Sequence, residues 1–472
     1  MSNILKVLLI TIFITNCSFH QNSKFWTKEN ITNEKIIKKE KITEEEIFKE
    51  EENLSLELNS KLRISLYTKP INQSFINNFD NNNGRINYTG NLKKKSKFKF
   101  SKIKNFHQYD PQILFHKNNI IYFDNKGAIL KFDNNSKLLW KKNYYSKSEK
   151  KQHPILFFAT NKNTLIVADN IAKFYALNIN TGKLLWTKNN IAPFNSQIKT
   201  HKNLFFVIDY KNTLRAYSIK DGNEIWNIKT QNSLIRSQKK LSMVVIGEKI
   251  YFNNSLGDIS AANIKSGELI WQTPTRSSLV TDEAFFLKTS DIIADKNALY
   301  FSNNKNQFFS LDIETGTLNW EQKINSNLRP TLIDKYIFTI SLEGYLIIIE
   351  KNTGVIIRMT DLFRNSKKKL KTFNKYNPGN FIDGFFVKIP EDSRFYVGDK
   401  SKVKKNISKP TGFIVGKDNI YLSTDHGRLL IIDISSGLTT STIKIDNKKI
   451  SRPSVLGNSL FVVTENSIIK LD

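Results

Sequence analysis

The sequence predicts an all-β protein, an eight-bladed β-propeller of four-stranded antiparallel blades, and three observations lead to that prediction. A phrase containing Gly and, four residues later, Trp recurs, with steps of 40, 45 and 49 residues from Trp186. Each unit also contains short β-branched and aromatic runs separated by Asn, Asp or Gly turns, which is typical of strands. Finally, the last unit stops after its third strand. A period of this size with four strands per unit is typical of propeller blades.

The recurring phrase has a structural interpretation. A small residue precedes the Trp by ten positions, which leaves room beside the indole, and Gly suits a tight turn at positive φ. We expect each indole to pack over the turn of the neighbouring blade and to donate its N–H to a backbone carbonyl, while Asp or Asn caps the turn. The predicted docking residues are Ala176, Gly182, Trp186, Ala216, Gly222, Trp226, Ala261, Gly267, Trp271, Gly316 and Trp320, with Ser310 as the small residue of the last copy.

Counting the strands gives eight blades, which begin near residues 109, 153, 195, 241, 288, 329, 410 and 452. Three blades depart from the phrase. The first carries Trp140 after a turn that is shorter and lacks Gly, the sixth keeps Gly354 but has Arg358 at the Trp position, and the seventh keeps Gly437 but has Ser441.

The eighth blade lacks a fourth strand, because the chain ends at Asp472. A closed ring has to take that strand from elsewhere, and residues 97–101 alternate apolar and polar side chains as a half-exposed strand does. We therefore predict that residues 96–103 complete the eighth blade and remove two open sheet edges. Residues 86–472 form the predicted propeller, and the basic segment 361–409 is an insertion between blades 6 and 7.

The first 16 residues resemble a secretory signal, with a short apolar run that is too brief to span a bilayer. The run ends at Cys17, the chain's single cysteine, in a segment that resembles the lipobox of bacterial lipoproteins, although Asn16 departs from the usual small residue. Lipidation of Cys17 is the favoured interpretation, with an ordinary signal and an incidental cysteine as the alternative. Residues 17–85 are expected to be a flexible tether, since they bury little apolar surface.

The composition leaves one question open. The chain has 472 residues and a formal net charge of +29. This charge fits either a compositional bias towards Lys and Asn or attraction to an anionic membrane or acidic partner. No nucleic-acid-binding motif accompanies the basic clusters.

The Trp phrase resembles the docking motif of quinoprotein-type (PQQ-like) eight-bladed propellers, over about residues 96–472. This group includes quinoprotein dehydrogenases, which are enzymes, and the BamB family of cofactor-free lipoproteins of the β-barrel assembly machinery. A quinoprotein alcohol dehydrogenase is expected to have a vicinal cysteine pair, which one cysteine cannot provide. The six histidines show no metal-binding spacing. The expectation is therefore a non-enzymatic protein without cofactor or metal, and the whole chain looks like a BamB-type lipoprotein on the periplasmic face of the outer membrane.

The resemblance also implies partners. It implies binding to a POTRA domain of the barrel insertase, alongside other assembly lipoproteins, through the loop after the Trp of blade 3 and acidic residues in the next loop between blades. The matching residues are Leu234, Ile235, Arg236 and Asp282, with Glu283 beside the last. In the alternative interpretation, Leu234 and Ile235 pack against their own blade. A quinoprotein-like dehydrogenase and an envelope propeller that binds glycan, peptide or lipid through 361–409 remain alternative functions.

Overall fold

The computed structural model describes residues 57–70, 84–93, 95–104, 106, 112–230, 237, 239–275, 287–364, 381–382, 385–386 and 408–472. In these residues the chain forms eight four-stranded antiparallel sheets and one two-stranded hairpin. The predicted all-β, eight-bladed propeller is therefore confirmed.

The structure contains the following strands and helix. In chain order they are β1 Lys95–Lys99, β2 Leu114–His116, β3 Asn119–Phe123, β4 Ile129–Phe132, β5 Leu138–Lys142, α1 Lys147–Lys151, β6 Leu156–Asn161, β7 Thr164–Asp169, β8 Lys173–Asn178, β9 Leu184–Asn189, β10 Lys199–His201, β11 Leu204–Ile208, β12 Thr213–Ser218, β13 Glu224–Lys229, β14 Met243–Ile246, β15 Lys249–Asn253, β16 Ile259–Asn263, β17 Leu269–Thr273, β18 Ile293–Ala294, β19 Ala298–Asn303, β20 Gln307–Asp312, β21 Leu318–Gln322, β22 Thr331–Ile333, β23 Tyr336–Ile340, β24 Tyr345–Glu350, β25 Ile356–Asp361, β26 Phe381–Ile382, β27 Phe385–Phe386, β28 Pro410–Val415, β29 Asn419–Thr424, β30 Arg428–Asp433, β31 Thr439–Lys444, β32 Ser454–Leu456, β33 Ser459–Val463 and β34 Ser467–Leu471.

Seven blades are meanders of four consecutive strands. Blade 1 is β2–β5, and blades 2 to 6 follow in steps of four up to β25. The hairpin β26–β27 lies within the segment 361–409 expected to be an insertion, and blade 7 is β28–β31. Asp361, at the start of that segment, is the last residue of β25, and residues 365–380, 383–384 and 387–407 lie outside the described residues.

Blade 8 is completed by the strand nearest the N-terminus, as predicted. Its order is β32, β33, β34 and β1, and β1 pairs antiparallel with β34 from Lys95 opposite Leu471 to Lys99 opposite Ser467. The alternation of β1 places Phe98 in the core, where its ring lies 5.6 Å from Phe132 and 6.2 Å from Phe461 between ring centroids. The closing strand therefore contributes apolar packing to blade 1 as well as hydrogen bonds to blade 8.

The apolar core runs around the ring rather than lying inside each blade. Every pair of neighbouring blades shares a cluster of buried side chains, so that Phe206 of blade 3 packs in one cluster with Met243 of blade 4. One large cluster joins blades 8, 1, 2 and 3, which includes the contact across the closure point. Burial of this continuous apolar surface is the main stabilising contribution to the ring.

The described residues before β1 contact blades 6, 7 and 8. Leu58 forms an antiparallel bridge with Met359 in blade 6, and the Ile64 amide donates to the Ser435 carbonyl at 3.1 Å in blade 7. Further along, the Ile86 amide donates to Val415 at 2.9 Å. Residues 57–70, which fall within the tether expected at 17–85, thus make contacts with the propeller, and residues 17–56 lie outside the described residues.

Candidate functional site

The predicted tryptophan-docking residues meet at the junctions between blades. Ala176 faces Trp186 across β8 and β9, and Ala216 faces Trp226 in the same way in blade 3. Each indole then lies against the Gly turn of the next blade. A Cβ atom added to Gly222 would lie 2.6 Å from Trp186. A side chain at this Gly would displace the ring, and its φ of +70° is one that residues with a side chain rarely adopt.

Three of the indoles make the expected hydrogen bond. The Nε1–H donates to the carbonyl three residues before the next blade's Gly, at 3.0 Å from Trp186 to Ile219, 2.9 Å from Trp226 to Ile264 and 2.9 Å from Trp320 to Lys351. Trp271 packs on Gly316 like the others. Within the described part of the chain, however, neither Trp271 nor Trp140 has a hydrogen-bond partner for its indole nitrogen.

The junction between blades 6 and 7 uses Arg358 in place of an indole. Its guanidinium is fully buried and donates at 3.0 Å to Leu62, at 3.0 Å to Ile434 and also to Ser435, all backbone carbonyls. Ile434 stands three residues before Gly437, so Arg358 reaches the carbonyl that an indole would reach. Burial lowers the pKa of Arg358 to about 10.

Two lysines use the same type of carbonyl at other junctions. Lys131 of blade 1 is buried and donates to Ile179 at 3.0 Å, while Lys470 of blade 8 donates to Asn134 at 3.4 Å. Ile179 stands three residues before Gly182, and Asn134 is its counterpart in the Gly-free turn of blade 1. Burial is the main cause that lowers the pKa of Lys131, and the positive charge of Lys117 lowers it further. Both lysines lie on the third strand of their blade, and Lys131 faces Trp140 at the position that Ala176 holds opposite Trp186.

The expected partner-binding residues Leu234, Ile235, Arg236 and Asp282 lie outside the described residues, as does Cys17. The ends of their two loops are described. The first loop begins after Thr230, whose Oγ1 donates to the Asn212 carbonyl at 2.9 Å. It ends at Ser237, whose carbonyl accepts from the Asn195 side chain at 3.0 Å. The second loop follows Thr275, whose Oγ1 donates to Gly257 at 2.9 Å.

These two loops leave the same face of the ring. Each joins the outermost strand of one blade to the innermost strand of the next, from blade 3 to 4 and from blade 4 to 5. The turns beside them are also linked, since the Ser255 amide donates to the Asn212 side chain at 2.9 Å. The ends of both loops are therefore fixed side by side.

Sequence reasoning missed a polar set at the axis. A buried serine precedes the innermost strand in five blades, and its hydroxyl commonly accepts from a backbone amide, as Ser196 does from Ile208 at 2.7 Å and Ser451 from Val463 at 2.9 Å. These serines are Ser196, Ser242, Ser290, Ser326 and Ser451. Comparison of the blades with one another at this position could have revealed them.

One residue after Ser290 is Asp291, a buried carboxylate close to several cations. Burial raises the pKa of Asp291, but the positive charges of four side chains outweigh that effect and lower it below its ordinary value. The cations are Lys239, Arg329, Lys240 and Arg452. Because they come from the segments that begin blades 4, 6 and 8, they converge on the axis from different sides of the ring.

In the described residues, no group of three or more His, Cys, Asp and Glu side chains could hold a metal ion. The vicinal cysteine pair is also absent, because the chain has one cysteine. In the same residues, no helix has the length and apolar character needed to cross a membrane.

Comparison with known proteins identifies the family. A family model described as outer membrane protein assembly factor BamB matches residues 125–360, which is half of the chain. No curated protein matches.

Solved structures share the fold at low sequence identity. BamB from Moraxella catarrhalis has 14% identity and a TM-score of 0.57, and the alignment covers 80% of this chain and 100% of that one. A europium-containing methanol dehydrogenase has 12% identity and a TM-score of 0.60, with 86% and 91% covered. A quinohemoprotein alcohol dehydrogenase from Comamonas testosteroni has 10% identity and a TM-score of 0.57, with 83% and 79% covered. These likenesses show the propeller fold, and from the match of the family model the chain belongs to the family of outer membrane protein assembly factor BamB.

Proposed function

We propose that this protein is a non-enzymatic scaffold of the outer-membrane β-barrel assembly machinery. It is anchored by a lipid on Cys17 at the periplasmic face of the outer membrane and binds a POTRA domain of the barrel insertase. The observation that supports this proposal most strongly is the match of the BamB family model to residues 125–360. A closed ring with loops fixed at their ends is well suited to presenting a binding surface.

The proposed partner surface consists of the loops 231–236 and 276–286, whose ends lie on one face. Leu234 and Ile235 provide an apolar anchor beside Arg236, a combination common in the energetically important part of an interface. Asp282 supplies the opposite charge in the neighbouring loop. Each loop starts from a threonine that is hydrogen-bonded to a turn of its own blade, which limits the ordering needed on binding.

Capture of the insertase by an Arg236→Glu variant tests this surface. We expect at least a tenfold loss of affinity, about 1.4 kcal/mol, because the change places an acid where the proposal requires a cation. Lys220→Glu is a matched control, since it makes the same change in charge at an exposed residue in a docking turn of the ring. Unchanged capture by Arg236→Glu would exclude this loop, and equal losses in both variants would point to net charge alone.

Metabolic palmitate labelling tests the anchor separately. We expect the label in the natural chain and its loss in Cys17→Ser, because thiol acylation needs the sulfur. Equal labelling of the two proteins would show that Cys17 does not carry the lipid.

A quinoprotein-like dehydrogenase is the second candidate, favoured by the structural likeness to two dehydrogenases. The single cysteine weighs against it, because the resemblance implies a vicinal cysteine pair in such a dehydrogenase. We expect calcium with pyrroloquinoline quinone to leave the melting temperature unchanged. A saturable increase would contradict the proposal of a cofactor-free scaffold.

A further inference from the structure

A cleft opens at the axis of the ring, beside the innermost strands of blades 1, 2 and 3. Its volume is about 360 Å³, including the part open to solvent. The side chains that line it include Gln112 from the segment before β2, Phe157 from β6, Gln197 before β10 and Lys240 before β14. The cleft thus combines apolar walls with two amides and one ammonium group.

Gln197 is the least expected of these residues. It is 5% exposed, and neither its Oε1 nor its Nε2 has a hydrogen-bond partner among the described residues. A buried amide without partners costs about 1–3 kcal/mol. The neighbouring backbone fixes its position, because the Gln197 amide donates to Leu241 at 3.0 Å and the Leu241 amide donates to Asn195 at 2.8 Å. The side chain is therefore held at the cleft with its polar atoms available.

Lys240 connects this cleft with the cations around Asp291, on which it acts together with Lys239, Arg329 and Arg452. Contacts between blades hold this group in place. The Lys239 ammonium donates to the Asn327 carbonyl, and Arg452 Nε donates to Phe413 at 2.9 Å. Four cations thus act on one carboxylate in a partly buried place, where charges interact more strongly than in water.

We propose that this axial cleft binds a small multivalent anion that carries phosphate or carboxylate groups. Lys240, which lines the cleft, supplies the attraction, and the Gln197 amide donates a hydrogen bond to an anion oxygen. Charge-assisted hydrogen bonds of this kind are stronger than neutral ones. The cleft is narrow and partly open to solvent, so a compact ligand fits better than a polymer.

Thermal unfolding of the full chain tests the proposal with phosphate and citrate as probes, against chloride at equal ionic strength. We expect one of the two, or both, to raise the melting temperature in a saturable way, since a ligand that binds only the folded state stabilises it. A response to phosphate alone identifies phosphate chemistry, and a response to citrate alone identifies carboxylate chemistry. No response beyond that of chloride would overturn the proposal.

Variants locate the site. Lys240→Gln removes a charge from the cleft and should lower the affinity for the saturating anion at least tenfold. Lys220→Gln removes the same charge at an exposed position elsewhere and should leave the melting-temperature response to the anion unchanged. Without anion, Gln197→Leu should unfold at a temperature no lower than the natural chain does, because it loses only a donor that has no partner in the described residues. With anion, its melting temperature should rise less than that of the natural chain. An unchanged response in both Lys240→Gln and Gln197→Leu, or an equal loss in Lys220→Gln, would place binding outside the cleft.

Discussion

Six of the eight junctions between blades are of two kinds, and both kinds end at the same backbone feature. At junctions 2–3, 3–4 and 5–6 an indole donates to the first carbonyl of the next docking turn. At junctions 1–2, 6–7 and 8–1 the donor to that carbonyl is the cationic side chain of Lys131, Arg358 or Lys470. The carbonyl is thus the element that these six junctions share, because it lies between blades and needs a donor. The donor itself can be neutral or charged.

The cationic junctions differ in what they require from the rest of the chain. Arg358 carries several donors, and one of them is satisfied by Leu62, which belongs to the segment before the first blade strand. A buried guanidinium has to be surrounded by acceptors to offset the loss of hydration. Junction 6–7 therefore depends on residues 57–70, whereas an indole needs a single acceptor and gains most of its stabilisation from packing.

The largest effect is expected from Arg358→Ala. The change empties a fully buried site and leaves three carbonyls without this donor, so we expect a loss of about 3–5 kcal/mol in the free energy of unfolding. Urea denaturation measures it. Arg364→Ala is the control, because Arg364 is exposed and its ion pair with Glu57, at 3.2 Å, is expected to contribute at most about 1 kcal/mol. Similar losses in the two variants would show that the buried arginine is not a structural centre of this junction.

An intermediate effect is expected from Trp226→Phe. A smaller aromatic ring remains and the hydrogen bond to Ile264 is lost, so we expect a loss of about 1–2 kcal/mol in the free energy of unfolding. Trp271→Phe is a matched control, because the Trp271 indole packs on a Gly turn without a hydrogen-bond partner in the described residues. It should cost less than Trp226→Phe in the same denaturation experiment. Equal costs would mean that packing alone stabilises the indole junctions.

The smallest effect is expected from Lys131→Met, at about 1 kcal/mol or less in either direction. Trp140 still covers Gly182, and the change removes a buried charge together with its hydrogen bond. The pH dependence is more diagnostic than the size of the effect.

Because burial lowers the pKa of Lys131, the folded state binds its proton less tightly than the unfolded state does. The stability contributed by this residue should therefore rise with pH between the lowered folded pKa and 10.5, the ordinary value. Denaturation over that pH range should show the rise in the natural chain and a weaker rise in Lys131→Met. Identical pH profiles would show that Lys131 is not the group responsible.

Much of the fold could be predicted because its signals are local or periodic. The spacing from Ala176 to Trp186 repeats, and the missing fourth strand of blade 8 pointed to residues 96–103. The role of Arg358 could not be predicted, since the sequence shows only that Trp is replaced, and its acceptor Leu62 is 296 residues away. Lys131 and Lys470 were missed because their acceptors, Ile179 and Asn134, are 48 and 336 residues away.

The candidate sites were harder to predict, for a related physical reason. The cations around Asp291 come from segments that lie far apart in the chain, and only the circular arrangement of the blades brings them together. No spacing of residues along a short stretch of the sequence indicates such a cluster. The partner-binding role of Leu234 and Arg236 is inferred from a resemblance, which gives a position in the sequence but no contact. That role remains a prediction.

The pairing of β1 with β34 also determines when the molecule can finish folding. Synthesis runs from the N-terminus, so the strand that ends at Lys99 is complete long before its partner, which begins at Ser467. During that interval the backbone groups of β1 lack their partners in β34. Contacts between segments so far apart in the chain are also slow to form. The ring can therefore close only after Ser467–Leu471 has been synthesised.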